Sequence, residues 1–241
     1  MQTRPRNAVR ILLLLVTVLV TAAALATGCS SKKEEDAKPL PDAATLLTQA
    51  NETTRAQQTV HLKLQVDGEI PELPIAKLDG DLANAPAVGA TGTADIIFLG
   101  SPIKDVGFTV ADGTLYAAMT PGSWQSFGPA ADIYDVSAIL NPDTGLANVL
   151  ANFTDAKADG RESVDGVEGV RVTGTVSAEA VNKIAPQIAA TGPVPAVAWI
   201  KEDGNHELVQ ARLEPTPGNT ITMTTTDWGK PVTVTVPPVS P

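Results

Sequence analysis

The sequence predicts an α+β domain built on one long antiparallel sheet. Three observations carry that prediction. Thr59 to Val66 alternates without a break, with Val60, Leu62, Leu64 and Val66 on one face and Thr59, His61, Lys63 and Gln65 on the other, as a strand with one wet side requires. Similar runs recur along the chain, separated by clusters of Pro, Gly, Asn and Asp that turn hairpins. Only a few stretches show helical spacing, and they interrupt runs of strands instead of alternating with them.

The elements follow in order from the N-terminus. Arg4, Arg6 and Arg10 precede the apolar run Ile11 to Val16 and a softer Thr/Val/Ala stretch, the layout of a secretory signal over residues 1–28. That stretch ends at Ala26-Thr27-Gly28-Cys29, which matches a bacterial lipobox with Ala26 where Leu is usual. Cys29 is therefore the expected acylated N-terminus of the mature chain, anchored on the outer face of the inner (cell) membrane and facing the periplasm, with a cell-wall or secreted fraction as the alternative. With each buried CH₂ worth about 0.8 kcal/mol, two acyl chains suffice for stable attachment. Cys29 is also the single cysteine of the sequence, so no disulfide and no thiolate metal site is available to the domain. Residues 29–41 are polar, charged and without apolar periodicity, a flexible tether that reaches about 40 Å at full stretch. Its Glu34-Glu35-Asp36 run reads as solvated linker charge.

From Asp42 about 200 residues remain, the length of one domain with an ample core, assigned to 42–241. Asp42 follows Pro41 as the expected N-cap of a helix over Asp42–Gln58, with Leu46, Leu47, Ala50 and Thr54 as its apolar stripe. Strands are expected at Thr59–Val66, Ile75–Leu82, Gly92–Leu99, Asp105–Ala111 and Gly113–Met119, with Ala111-Asp112-Gly113 the sharpest turn. Two helical patches follow, Ala131–Leu140 and Thr144–Phe153. A second strand series is expected at Arg161–Ser163, Val167–Val176, Ala196–Glu202, Glu207–Leu213, Asn219–Trp228 and Val232–Val236, with a helix at Ala178–Ile188 lying among them.

Charge and chemistry exclude several functions. The chain carries 17 Lys+Arg against 27 Asp+Glu, and removing the signal's three arginines leaves the mature chain at −13. That balance argues against a nucleic-acid partner and against a surface that hugs anionic headgroups. Neither a Gly-x-Ser-x-Gly elbow, nor His-Glu-x-x-His, nor a phosphate-cradling loop can be written from these residues. His61 sits on the polar face of a strand and His206 in a Gly-Asn-His turn, so both read as solvated. Asp79 and Asp81 share a strand face and read as its polar side. Trp124, Trp199 and Trp228 read as structural anchors or rim residues. No catalytic residue, metal ligand or cofactor is assigned, and a non-enzymatic role is expected.

Three segments carry a family resemblance: Phe127 to Asp135, Leu140 to Phe153, and Pro193-Val194-Pro195-Ala196 with Trp199-Ile200. On these the mature domain resembles the LppX/LprA/LprF/LprG family of mycobacterial lipoproteins. The resemblance implies a fold similar to the LolA/LolB carriers: a curved antiparallel half-barrel with helices packed on its concave face, enclosing a large apolar cavity. It implies binding of triacylglycerol and of triacylated glycolipids such as phosphatidylinositol mannosides, lipomannan and lipoarabinomannan. It also implies their movement from the inner membrane toward the outer envelope, alongside a major-facilitator exporter. The groove is expected to be lined by Val60, Leu62, Leu64 and Val66, by Ala94, Ile96 and Phe98, by Val106, Phe108 and Val110, and by Leu115, Ala117 and Met119. Leu146, Val149 and Leu150 are expected to close it.

Overall fold

The computed structural model describes residues 38–239, apart from Glu72. The expected signal, Cys29 and most of the tether lie outside the described residues. The elements below all belong to the compact unit Leu40–Pro241. Helix α1 spans Ala43–Arg55, and the Asp42 carboxylate accepts a hydrogen bond from the Thr45 amide at 2.8 Å. That bond satisfies one of the amides that every helix start leaves unpaired. Ala43, Leu46, Leu47, Ala50 and Thr54 are buried along one side of the helix.

A first meander follows: β1 Thr59–Asp67, β2 Ile75–Ala83, β3 Gly89–Phe98, β4 Ser101–Ala111, β5 Thr114–Thr120 and β6 Ser123–Pro129. A second runs through β7 Phe153–Val164, β8 Val167–Val176, β9 Val194–Ile200, β10 Leu208–Thr216 and β11 Asn219–Thr226. They form one 11-stranded sheet in the order β6-β5-β4-β3-β2-β1-β11-β10-β9-β8-β7. Every ladder in it is antiparallel. The first and last strands meet at its centre, where Leu62 stands opposite Thr225 and Leu64 opposite Met223. β6 and β7 are the outer strands, so the curved sheet stays open.

The chain must therefore pass from one edge of the sheet to the other between β6 and β7. It does so through 3-10 turns at Ala130–Asp132 and Val136–Ile139 and the short helix α2, Leu146–Ala151. Helix α3, Ala178–Ile184, joins β8 to β9. Side-chain amides and a phenol fix this cover. Asn51 Nδ2 donates to the Ala147 carbonyl at 2.6 Å, Asn84 Nδ2 to the Ser137 carbonyl at 2.9 Å, and the Tyr134 hydroxyl to the Ile184 carbonyl at 2.8 Å. Leu46, Leu146, Val149 and Leu150 pack with Leu62, Val172, Ala198, Ile200 and Met223 in the main core. Val60, Leu82, Ala90 and Val110 pack with Ala130 and Leu140 in a second one.

The differences from expectation have identifiable causes. β6 and most of β7 escaped the alternation pattern because edge strands carry mixed and charged residues, as the Asp155 to Glu162 stretch of β7 does. Ala131–Leu140 breaks into two 3-10 turns instead of forming one helix. Helix α3 stops at Ile184 because Pro186 pushes Ala185 out of the helical region, to φ −141 and ψ 79. Val232–Val236 is not a strand and lies outside the sheet. The tail passes near Gly89 with Val234 and makes one bridge, Val239 to Trp124.

Candidate functional site

Strand register gathers the expected lining residues onto one face. Val60, Leu82, Ala90, Val110 and Leu115 stand in one row across five strands. The next row is Leu62, Gly80, Gly92, Phe108 and Ala117, and the one after it is Leu64, Leu78, Ala94 and Val106. Beyond a pair of bulges the face continues through Ile75, Ile96 and Ile103, which stand side by side. The paired glycines have a specific role. A Cβ on Gly80 would lie 3.1 Å from the Phe108 ring, so its bare backbone makes room for that ring, while Gly92 lies directly against the Gly80 and Asp79 backbone.

Burial divides this face in two. Val60, Leu62, Ala94, Val106, Val110, Ala117, Leu146, Val149 and Leu150 are each at most 7% exposed; Leu62 packs with the three helix residues in the main core, and Val60 with Val110 in the second. Small aliphatic side chains do this when they interdigitate at the density of an organic crystal. Leu64, Val66, Ile96, Phe108, Leu115 and Met119 are only half-buried, as are Ile75 and Leu78 on β2. These residues form a strip along β1 to β5 that the covering helices do not fully shield. Phe98 departs from the expected lining: it lies at the end of the β3–β4 hairpin and is 45% exposed. Ile75 and Ile103 escape the simple period of two because the register shifts at Ile75/Lys77 and at Ala94/Ile96, whereas Leu78 lies in the regular run Leu78, Gly80, Leu82, whose glycine interrupts the apolar alternation.

On the opposite face of β1 to β3 lies a hollow of about 550 Å³, lined mostly by polar residues, among them Lys63, Gln65, Asp79, Thr93, Asp95 and Asp165, with Leu64, Leu78 and Ala94 also contributing to its wall. Beside it His61 is paired, with Nδ1 2.8 Å from Asp81 and Nε2 3.2 Å from Asp79. The expectation of a solvated His61, and of Asp79 and Asp81 as plain polar surface, gives way to one three-residue cluster. Register explains it, since His61 stands opposite Asp81. Among the described residues no group of three or more His, Cys, Asp or Glu is placed to hold a metal ion. His206 approaches the Lys201 carbonyl at 3.2 Å. Trp199 donates to Glu162 at 2.7 Å, between Arg171 and Arg212, whose guanidinium carbons lie 6.0 and 5.6 Å from its ring centroid. Trp228 donates to the Leu208 carbonyl at 3.0 Å. These tryptophans have structural partners.

The LppX_LprAFG lipoprotein family model matches residues 42–234. The chain belongs to this family. It is 63% identical to the lipoarabinomannan carrier protein LprG of Mycolicibacterium smegmatis over 98% of this chain and 99% of that one. It is 50% identical to the protein of the same name from Mycobacterium tuberculosis, again over 98% and 99% of the two chains. Among solved structures, LprF from Mycobacterium bovis matches with a TM-score of 0.75 at 29% identity, covering 83% of this chain and 98% of that one. LppX from Mycobacterium tuberculosis matches with a TM-score of 0.62 at 25% identity, over 80% and 98%. The LppX_LprAFG membership assigns the open, curved antiparallel sheet with its few helices to a lipoprotein fold. Among the described residues no helix is long and apolar enough to cross a membrane.

Proposed function

We propose that this LppX_LprAFG member is a membrane-anchored carrier that holds acyl chains against its apolar sheet face. Its cargo is triacylglycerol and triacylated glycolipids: phosphatidylinositol mannosides, lipomannan and lipoarabinomannan. It moves them from the inner membrane toward the outer envelope, with a major-facilitator exporter as partner. The observation that carries this reading is the half-buried strip of Leu64, Leu78, Ile96, Phe108, Leu115 and Met119 beside an otherwise closed core. The printed names of the LprG relatives support the glycolipid class.

The energetics favour such a device. Exposing a 16-carbon chain to water costs on the order of 12 kcal/mol at about 0.8 kcal/mol per CH₂, so unaided escape from a bilayer is slow. The stretch of β3 from Gly92 to Phe98 is roughly 20 Å long, longer than the ~15 Å that one leaflet's chains occupy. Methylene contacts are interchangeable, so acyl-chain selectivity is expected to be broad.

Native mass spectrometry of the full chain, purified from its own membrane, tests the reading by identifying co-purifying lipid. The Ile96→Trp variant places a large ring on the half-buried part of the face, between Ile75 and Ile103, where the site is not packed shut. It is expected to fold and to carry several-fold less lipid. A folded variant that carries as much as wild type, or a wild-type protein that carries none, overturns the proposal. The second outcome favours a ligand-free partner or regulator of a transporter. Cys29→Ala is expected to move the protein from the membrane to the soluble fraction.

A further inference from the structure

The β3–β4 hairpin ends in a consecutive apolar run whose exposure is not explained by folding. Ile97 is 43% exposed, Phe98 45% and Leu99 90%. The turn itself is Leu99-Gly100, with φ of 50° and 77°, and Phe98 pairs with Ser101 across it. Two other hairpins use the same two-residue geometry, and both place aspartate first: Asp112-Gly113 at 50° and 75°, and Asp165-Gly166 at 50° and 84°. Aspartate and asparagine tolerate a left-handed backbone because their short polar side chains bond locally, whereas a branched aliphatic residue does not. Leucine at this position is thus unfavourable for the turn and exposed to solvent, which is the opposite of what local stability selects.

Charge points to the occupant. In a chain with 27 acidic residues, the nine positions between Asp95 and Asp105 contain no carboxylate and one cation, the exposed Lys104 at the base of the hairpin. Net acidity opposes any broad electrostatic attachment to an anionic lipid surface, so contact must be local, apolar and free of carboxylates. Lysine beside an apolar tip can reach headgroup phosphates while its stem stays in the apolar layer. The tip is also continuous with the half-buried strip through Ile75, Ile96 and Ile103.

We propose that the β3–β4 hairpin tip inserts into a lipid bilayer, with Ile97, Phe98 and Leu99 in the acyl region and Lys104 at the phosphates. Insertion places the lower end of the strip against the leaflet, so that a lipid passes between membrane and protein along apolar surface. This second part rests on the carrier reading; insertion itself does not.

Spin labels test insertion in the full acylated chain, where Cys29 is blocked and an introduced cysteine is the reactive thiol. Leu99→Cys is labelled and reconstituted in phosphatidylglycerol/phosphatidylcholine vesicles. Asp112→Cys is the control, because it occupies the same backbone geometry at the opposite end of β4. The label at position 99 is expected to be accessible to oxygen and shielded from an aqueous nickel chelate, and the label at position 112 to be accessible to the chelate. A label at 99 as wet as the control overturns the proposal, and so does one shielded from both reagents, which would mean that a second copy covers the tip. In a vesicle-to-vesicle transfer assay, Leu99→Asp is expected to slow lipid transfer at least roughly tenfold while native mass spectrometry shows an unchanged lipid load. Transfer at the wild-type rate overturns the proposal. If wild type carries no lipid, the carrier reading fails and the label result alone decides insertion.

Discussion

A Cβ built on Gly92 would collide with the Asp79 carbonyl oxygen and lie 2.6 Å from the Gly80 Cα. Both neighbours are backbone, so nothing flexible can give way. Gly92→Ala is expected to destabilise the domain by about 2–4 kcal/mol through overpacking and backbone displacement, read in urea as a lower midpoint with an unchanged slope. Tyr134 offers a second test at this scale. Burial, reinforced by the neighbouring Asp135 carboxylate, pushes its hydroxyl well above the ordinary value of 10.0. The neutral hydroxyl donates to the Ile184 carbonyl at the end of α3. Tyr134→Phe is expected to cost about 1 kcal/mol. Because the folded value is the raised one, this contribution is complete below the ordinary value and is lost as pH rises through the folded one.

At the scale of elements, α1 depends on its cap. The Thr45 amide and hydroxyl hold the Asp42 carboxyl below its usual range. A lowered folded value means that the cap's contribution is present above the ordinary carboxylate range and fades as pH falls through the folded value. Asp42→Asn, which keeps a capping oxygen, is expected to lie closer to wild type than Asp42→Ala in thermal unfolding at neutral pH. The gap between wild type and Asp42→Ala should close as the solution is acidified. The covering segments depend on α1 in turn, since Leu46 packs with Leu146 and Leu150 in the main core, and Asn51 binds the Ala147 carbonyl.

For the whole molecule, the meeting of β1 and β11 at the middle of the sheet is the organising contact. It joins two meanders that otherwise touch through the cover, and it places the strands nearest both chain ends among the most protected. Amides of β1, β10 and β11 are expected to exchange slowest with deuterium, and those of the edge strands β6 and β7 fastest. An edge strand exchanging as slowly as β11 would contradict this order. The molecule also separates its chemistry by face. The two main cores and the cover lie on one side, while the other carries His61 with its two aspartates, the hollow beside them and the small cluster of Trp199 with Val197 and Val209.

By itself the sequence determined which residues share a face. Alternation is a property of the pleat, set residue by residue, so Val60, Leu62 and Leu64, and likewise Phe108 and Val110, could be assigned to the apolar side before any pairing was known. It also determined the Asp42 cap and the hairpin at Asp112-Gly113, because both are local hydrogen-bonding and backbone preferences. The tertiary structure decided the rest. Which expected lining residues are packed shut and which stay half-open depends on helices contributed from distant parts of the chain. So does the pairing of His61 with Asp79 and Asp81, the placing of charged β7 at an edge, and the exposure of Phe98. Burial is set by what lies opposite a side chain, and in an open sheet covered by its own crossing segment that neighbour is fixed only when the two meanders join.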